Sequence, residues 1–128
     1  MSLRDKLHIL VVDDMSTSRG LLTQALDELG VKNYRTEADG HTAWSSLASK
    51  PVHLVISDFN MPRMDGLQLL EAIRSHRAIA RTGFILVTGR ADKEIIERGT
   101  RLGMNNYLKK PFQTEQLKAC IEKVVGRL

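Results

Sequence analysis

The sequence predicts an α/β fold: a parallel sheet built from five β-α units and covered by helices on both faces. Three observations carry this. Short, continuously apolar, β-branched runs recur along the chain. Amphipathic segments of helical period alternate with them. The strongest runs, His8 to Val12 and Phe84 to Thr88, lack the in-out alternation of a half-exposed strand, which implies burial on both faces. Right-handed crossovers then leave few topologies.

The elements follow in order. His8-Ile9-Leu10-Val11-Val12 reads as the first strand and stops at Asp13-Asp14. Ser16 or Thr17 is expected to cap a helix running to about Leu29, which Gly30 ends. Asn33 to Ala38 is a weaker strand, and Thr42 to Ser49 a helix closed by Pro51. Val52 to Ser57 is the third strand and leads directly to Asp58. A turn-rich loop, Asn60 to Gly66, precedes a helix from Leu67 to about His76. Phe84 to Thr88 is the fourth strand, Asp92 caps a helix ending near Gly103, and Asn106 to Lys109 is the fifth strand. Thr114 is expected to cap the last helix, which reaches Gly126.

Composition narrows the function classes. The 128 residues suit one domain, and 42% hydrophobic content suffices for one packed core. No apolar run approaches the roughly 20 residues of a membrane span, and the polar Met1 to Lys6 segment lacks a secretory hydrophobic region. The single cysteine, Cys120, suits a reducing cytoplasm and reads as a small buried hydrophobe on an amphipathic helix. The net charge is +4 and the pI about 9.5, but the basic residues are scattered and not interleaved with aromatics. No direct nucleic-acid contact is therefore expected, and an acidic protein partner explains the charge at least as well.

Ligands of open parallel sheets bind beyond the carboxyl ends of the strands. There stand Asp13 and Asp14, Asp58, Thr88, and Lys110-Pro111. Each residue alone has a dull explanation as a cap, a turn or a solvated side chain. Together they place three carboxylates, a hydroxyl and an ammonium at four of five strand ends. Two carboxylates about 5 Å apart repel by about 3 kcal/mol at an effective dielectric of about 20. A divalent cation removes the conflict, and a few carboxylates completed by water and phosphate are the magnesium pattern. Such a cation and Lys110 could together neutralise charge on a phosphoryl group arriving at one carboxylate, with Thr88 donating a hydrogen bond to it.

The pattern Val11-Val12-Asp13-Asp14, Asp58-Phe59-Asn60-Met61-Pro62-Arg63-Met64-Asp65-Gly66, Val87-Thr88 and Lys110-Pro111-Phe112 resembles the receiver domain of two-component response regulators. The match spans about the whole chain. Within that family, Asp13-Asp14-Met15-Ser16-Thr17 and Tyr107, three residues before Lys110, are most similar to the single-domain chemotaxis regulators. The resemblance implies one receiver domain over residues 1–128 with no output domain, in a flavodoxin-like fold of strand order 2-1-3-4-5. It implies that Asp58 accepts a phosphoryl group. Magnesium, with manganese able to substitute, would bind Asp13, Asp58 and the Asn60 backbone carbonyl, with Asp14 acting through water. Lys110, Thr88 and Gly89 would support the phosphoryl group, and the Lys110-Pro111 peptide would be cis. Thr88 and Tyr107 would form the switch. The output surface would comprise Arg90, Lys93, Ile96, Arg98, Arg101, Tyr107 and Lys118. The implied partners are a CheA-like histidine kinase or a histidine phosphotransfer protein, and a flagellar motor switch protein. A phosphorelay intermediate or a phosphate sink is the alternative within the family.

Two other chemistries fit less well. A phosphatase with an aspartyl nucleophile needs a second acid two residues after it, and Asn60 stands there. A flavodoxin-like cofactor binder could use Ser16-Thr17-Ser18 as a phosphate loop, but Asp13-Asp14 would repel the anion.

Overall fold

The computed structural model describes residues 2–90 and 92–128. Its elements are α1 (Leu3–Lys6), β1 (His8–Val12), α2 (Ser16–Glu28), β2 (Asn33–Glu37), α3 (Gly40–Ser49), β3 (Leu54–Asp58), α4 (Gly66–Ser75), β4 (Gly83–Thr88), α5 (Lys93–Leu102), β5 (Asn106–Lys109) and α6 (Thr114–Val125). The five strands are parallel and lie in the order β2-β1-β3-β4-β5, as anticipated.

Strand period explains the two-sided core. Ile9, Val11, Leu54, Ile56, Ile85 and Val87 face one cluster, completed by Leu22 and Leu26 of α2 and Leu117 and Ile121 of α6. Their neighbours Leu10, Val12, Val55, Phe84 and Leu86 face the other, against Leu47 of α3 and Leu69, Leu70 and Ile73 of α4. β3 and β4 are buried throughout, so alternate residues on both faces must be apolar. β2 at the edge is only half-buried, which is why its sequence is the most polar of the five.

Several boundaries differ from the sequence reading. The short helix α1 was not anticipated. Ser16 and Thr17 lie inside α2, and Met15 occupies the N-cap position without a side-chain cap. The carboxylate of Asp13 instead accepts the Met15 N–H at 3.0 Å. α3 starts earlier than expected because Asp39 caps it, accepting the Thr42 N–H at 2.8 Å. Gln113, not Thr114, occupies the N-cap position of α6, and its N–H donates to Gln116 Oε1 at 2.8 Å. The Thr114 hydroxyl donates to Glu28 Oε2 at 2.6 Å and so ties α6 to α2. Asp92 caps α5 as expected, and Gly103 ends it with φ of 93°. Cys120 is buried, and that burial pushes its thiol up to about 11, as suits a packing residue.

Candidate functional site

The site forms where β1, β3, β4 and β5 end. Strand register sets its depth: Val12 pairs with Ser57, Asp58 with Val87 and Thr88 with Lys109, so the chain turns leave at one level. Asp13 is fully buried, Asp58 is 6% exposed and Asp14 is exposed. One oxygen from each of the three lies within 4.8 Å of the others, among the described residues.

Lys110 reaches into this cluster from the β5–α6 loop. Its Nζ stands 3.0 Å from Asp58 Oδ1 and 3.5 Å from Asp13 Oδ2. The Lys110-Pro111 peptide is cis. Burial pushes the Asp58 carboxyl above its ordinary range. The Lys110 ammonium opposes this, and the charges of Asp13 and Asp14 add to the rise. One ammonium against three carboxylates leaves an excess of negative charge that a hard divalent cation would neutralise. The donor set is all oxygen and fits such an ion.

The β3–α4 loop is held by close packing. Gly66 lies so near the end of β3 that a Cβ there would sit 2.5 Å from the Asp58 carbonyl oxygen. Its N–H donates to the Phe59 carbonyl at 2.9 Å, and Asp65 caps α4 directly before it. Asn60, in this loop, is exposed.

Thr88 is buried, and its hydroxyl accepts the Arg90 N–H at 3.0 Å, so it is turned toward its own loop. Gly89 is exposed, and a Cβ there would meet nothing within 4 Å among the described residues. Of the basic surface residues, Arg90, Lys93, Arg98, Arg101 and Lys118 are exposed, and Ile96 is half-buried. Tyr107 is 39% exposed on the edge strand β5. Arg90 pairs with Asp92 at 3.4 Å and Lys93 with Glu97 at 3.9 Å, both in solvent where such pairs contribute little.

Comparisons with known proteins place the family and the fold. The family described as "Response regulator receiver domain" matches residues 9–122. The chain belongs to the response regulator receiver family. The "Probable chemotaxis protein CheY" of Rhizobium etli is 44% identical over 128 residues, covering 100% of this chain and 99% of that one. The chemotaxis protein CheY of Pseudomonas aeruginosa is 36% identical over 95% of this chain and 98% of its own. Among solved structures, a chemotaxis CheY protein of Vibrio cholerae superposes with a TM-score of 0.87 at 28% identity, covering 93% of this chain and 98% of that one. The receiver domain of a Pseudomonas aeruginosa sensor histidine kinase, solved with magnesium coordinated in its active-site cleft, gives 0.83 at 27% identity over 92% and 96%.

Two residues of this receiver domain have contacts that the sequence did not indicate: Ser18, weighed there only in a phosphate loop, and Arg19. Ser18 donates its hydroxyl hydrogen to Asp13 Oδ2 and accepts from Lys110 Nζ at 2.8 Å. Arg19 Nη1 donates to the Asp13 carbonyl at 2.8 Å. The first turn of α2 therefore holds Asp13 through Met15, Ser18 and Arg19. No sequence pattern encodes these contacts, because their reach depends on how the β1–α2 loop turns. No helix among the described residues is long and apolar enough to cross a membrane.

Proposed function

We propose that this receiver domain is a magnesium-dependent phosphorylation switch of chemotaxis, with Asp58 as phosphoryl acceptor. The observation that carries the reading is the Lys110 ammonium 3.0 Å from Asp58 Oδ1, inside a cluster of three carboxylates. The whole-length similarity to chemotaxis proteins supports the pathway.

An Asp58 oxygen attacks the phosphorus of a phosphohistidine on a partner kinase. The O–P bond forms as the N–P bond breaks, and the imidazole leaves with that electron pair. Bound magnesium, held by Asp13, Asp58 and the Asn60 backbone carbonyl with Asp14 acting through water, would supply positive charge to the phosphoryl oxygens. Lys110 loses one carboxylate oxygen as partner and gains a phosphoryl oxygen. Thr88 exchanges its Arg90 contact for the phosphoryl group. Tyr107, on the neighbouring edge strand, moves inward behind it. The basic face of α5, β5 and α6 then binds an acidic segment, in this reading a flagellar switch component. Asn60 supplies no general acid, so the phosphoryl group is a signal that outlasts a catalytic turnover.

Incubation with magnesium and acetyl phosphate is expected to add one acid-stable, alkali-labile phosphoryl group. Asp58→Asn should abolish it. Labelling of that variant at the wild-type level would sink the proposal. Capture of only histidine phosphotransfer proteins by the phosphomimic-loaded protein would replace motor output by a relay or sink.

A further inference from the structure

We propose that Ser18 is a positioning residue that keeps Lys110 aimed at Asp58 and leaves the charge of Asp13 free for the cation. The inference rests on the reading of Asp58 and magnesium above. A lysine ammonium only donates, a carboxylate only accepts, and a hydroxyl has one hydrogen and two lone pairs. The direction of the chain is therefore forced: Lys110 Nζ donates to Ser18 Oγ, and Ser18 Oγ donates to Asp13 Oδ2.

This arrangement keeps two opposite charges at the outer reach of an ion pair, where they would otherwise close on each other. Lys110 Nζ lies 3.5 Å from Asp13 Oδ2, a long contact, but 2.8 Å from Ser18 Oγ and 3.0 Å from Asp58 Oδ1. The hydroxyl satisfies one ammonium hydrogen with a neutral group. Asp13, fully buried, is oriented by a hydrogen bond to each carboxylate oxygen, from Met15 N–H and from Ser18. Neither of these two donors carries a charge, and the charged Lys110 reaches Asp13 only at 3.5 Å. Ser18 lies in the first turn of α2, on a packed and regular element, so its hydroxyl is held in place.

Without the hydroxyl, nothing stands between Lys110 and Asp13, and their 3.5 Å contact is free to shorten into a close ion pair. That would withdraw the ammonium from Asp58 and neutralise a metal ligand at once. Ser18→Ala is expected to weaken magnesium binding, measured by calorimetry, about tenfold. Its acetyl-phosphate labelling rate at saturating magnesium should also fall about tenfold. Ser18→Thr, which restores the hydroxyl, should stay within about twofold of wild type in both. Thermal melting provides the control for packing.

Magnesium affinity and saturated labelling rate of Ser18→Ala at wild-type values would overturn the inference while leaving Asp58 as acceptor. Equal defects in Ser18→Ala and Ser18→Thr, with lowered melting in both, would also overturn it in favour of simple packing. A wild-type protein that neither binds magnesium nor labels would remove the underlying reading itself, and this inference with it.

Discussion

Gly66 leaves no room for a side chain beside Asp58: a Cβ on Gly66 would sit 2.5 Å from the Asp58 carbonyl oxygen. That is inside contact distance with backbone that cannot rotate away. Gly66→Ala must therefore displace either α4 or the end of β3. It is expected to cost about 2 kcal/mol in urea unfolding. Its labelling by acetyl phosphate should fall at least about tenfold, because the acceptor moves. Gly89→Ala is the matched control. Its Cβ meets nothing within 4 Å among the described residues, so its stability should stay within about 0.5 kcal/mol of wild type.

Lys110 serves the two halves of the site in opposite directions. Its ammonium offsets carboxylate charge and so competes with a cation, yet it also points at the acceptor. Lys110→Met is expected to bind magnesium at least as tightly as wild type. Its labelling rate at saturating magnesium should fall about a hundredfold. Loss of both would mean that the lysine holds the site together and does not act on the phosphoryl group.

Asp58 makes stability depend on pH with a definite sign. Its folded carboxyl is raised above its ordinary value near 3.8, chiefly by burial. The native state therefore binds more protons than the unfolded chain between those two values, and stability falls as pH rises through that window. Above the folded value the penalty is complete. In chelator at neutral pH, Asp58→Asn should melt higher than wild type. The gap should narrow as pH drops through the folded value of Asp58. A gap that widens on acidification would contradict the burial argument.

Arg74 closes the opposite end of the sheet. It donates five hydrogen bonds, to the carbonyls of Ala80 and Thr82, twice to Gly103, and to Asn105 Oδ1. Asn105 Oδ1 also accepts the Phe84 N–H at 2.8 Å. The guanidinium thus clasps α4 to the start of β4 and to the α5–β5 turn. Arg74→Ala is expected to destabilise by about 3 kcal/mol in urea unfolding, with acetyl-phosphate labelling little changed under native conditions. A change within about 0.5 kcal/mol would show that water replaces the guanidinium without loss.

The chain by itself settled the alternation of strands and helices, because period and burial are local properties of the side chains. Ile9 to Val12 and Phe84 to Val87 are apolar on both faces, as a covered parallel sheet requires. Asp13, Asp58, Thr88 and Lys110 were legible as a group for the same reason: a strand end marks one rim of such a sheet. Helix starts were less legible, since the side chains of Asp39 and Asp13 compete with nearby hydroxyls for the same N–H groups, and Gln116 takes the Gln113 N–H. Tertiary structure alone decided which of the gathered groups touch. Lys110 is 97 residues from Asp13 and 92 from Ser18, and the order Lys110 to Ser18 to Asp13 exists only after β1 and β5 flank the central strands. Hydrogen-bond direction and the 3.0 Å approach to Asp58 are set by loop geometry and packing, and no local pattern encodes those distances.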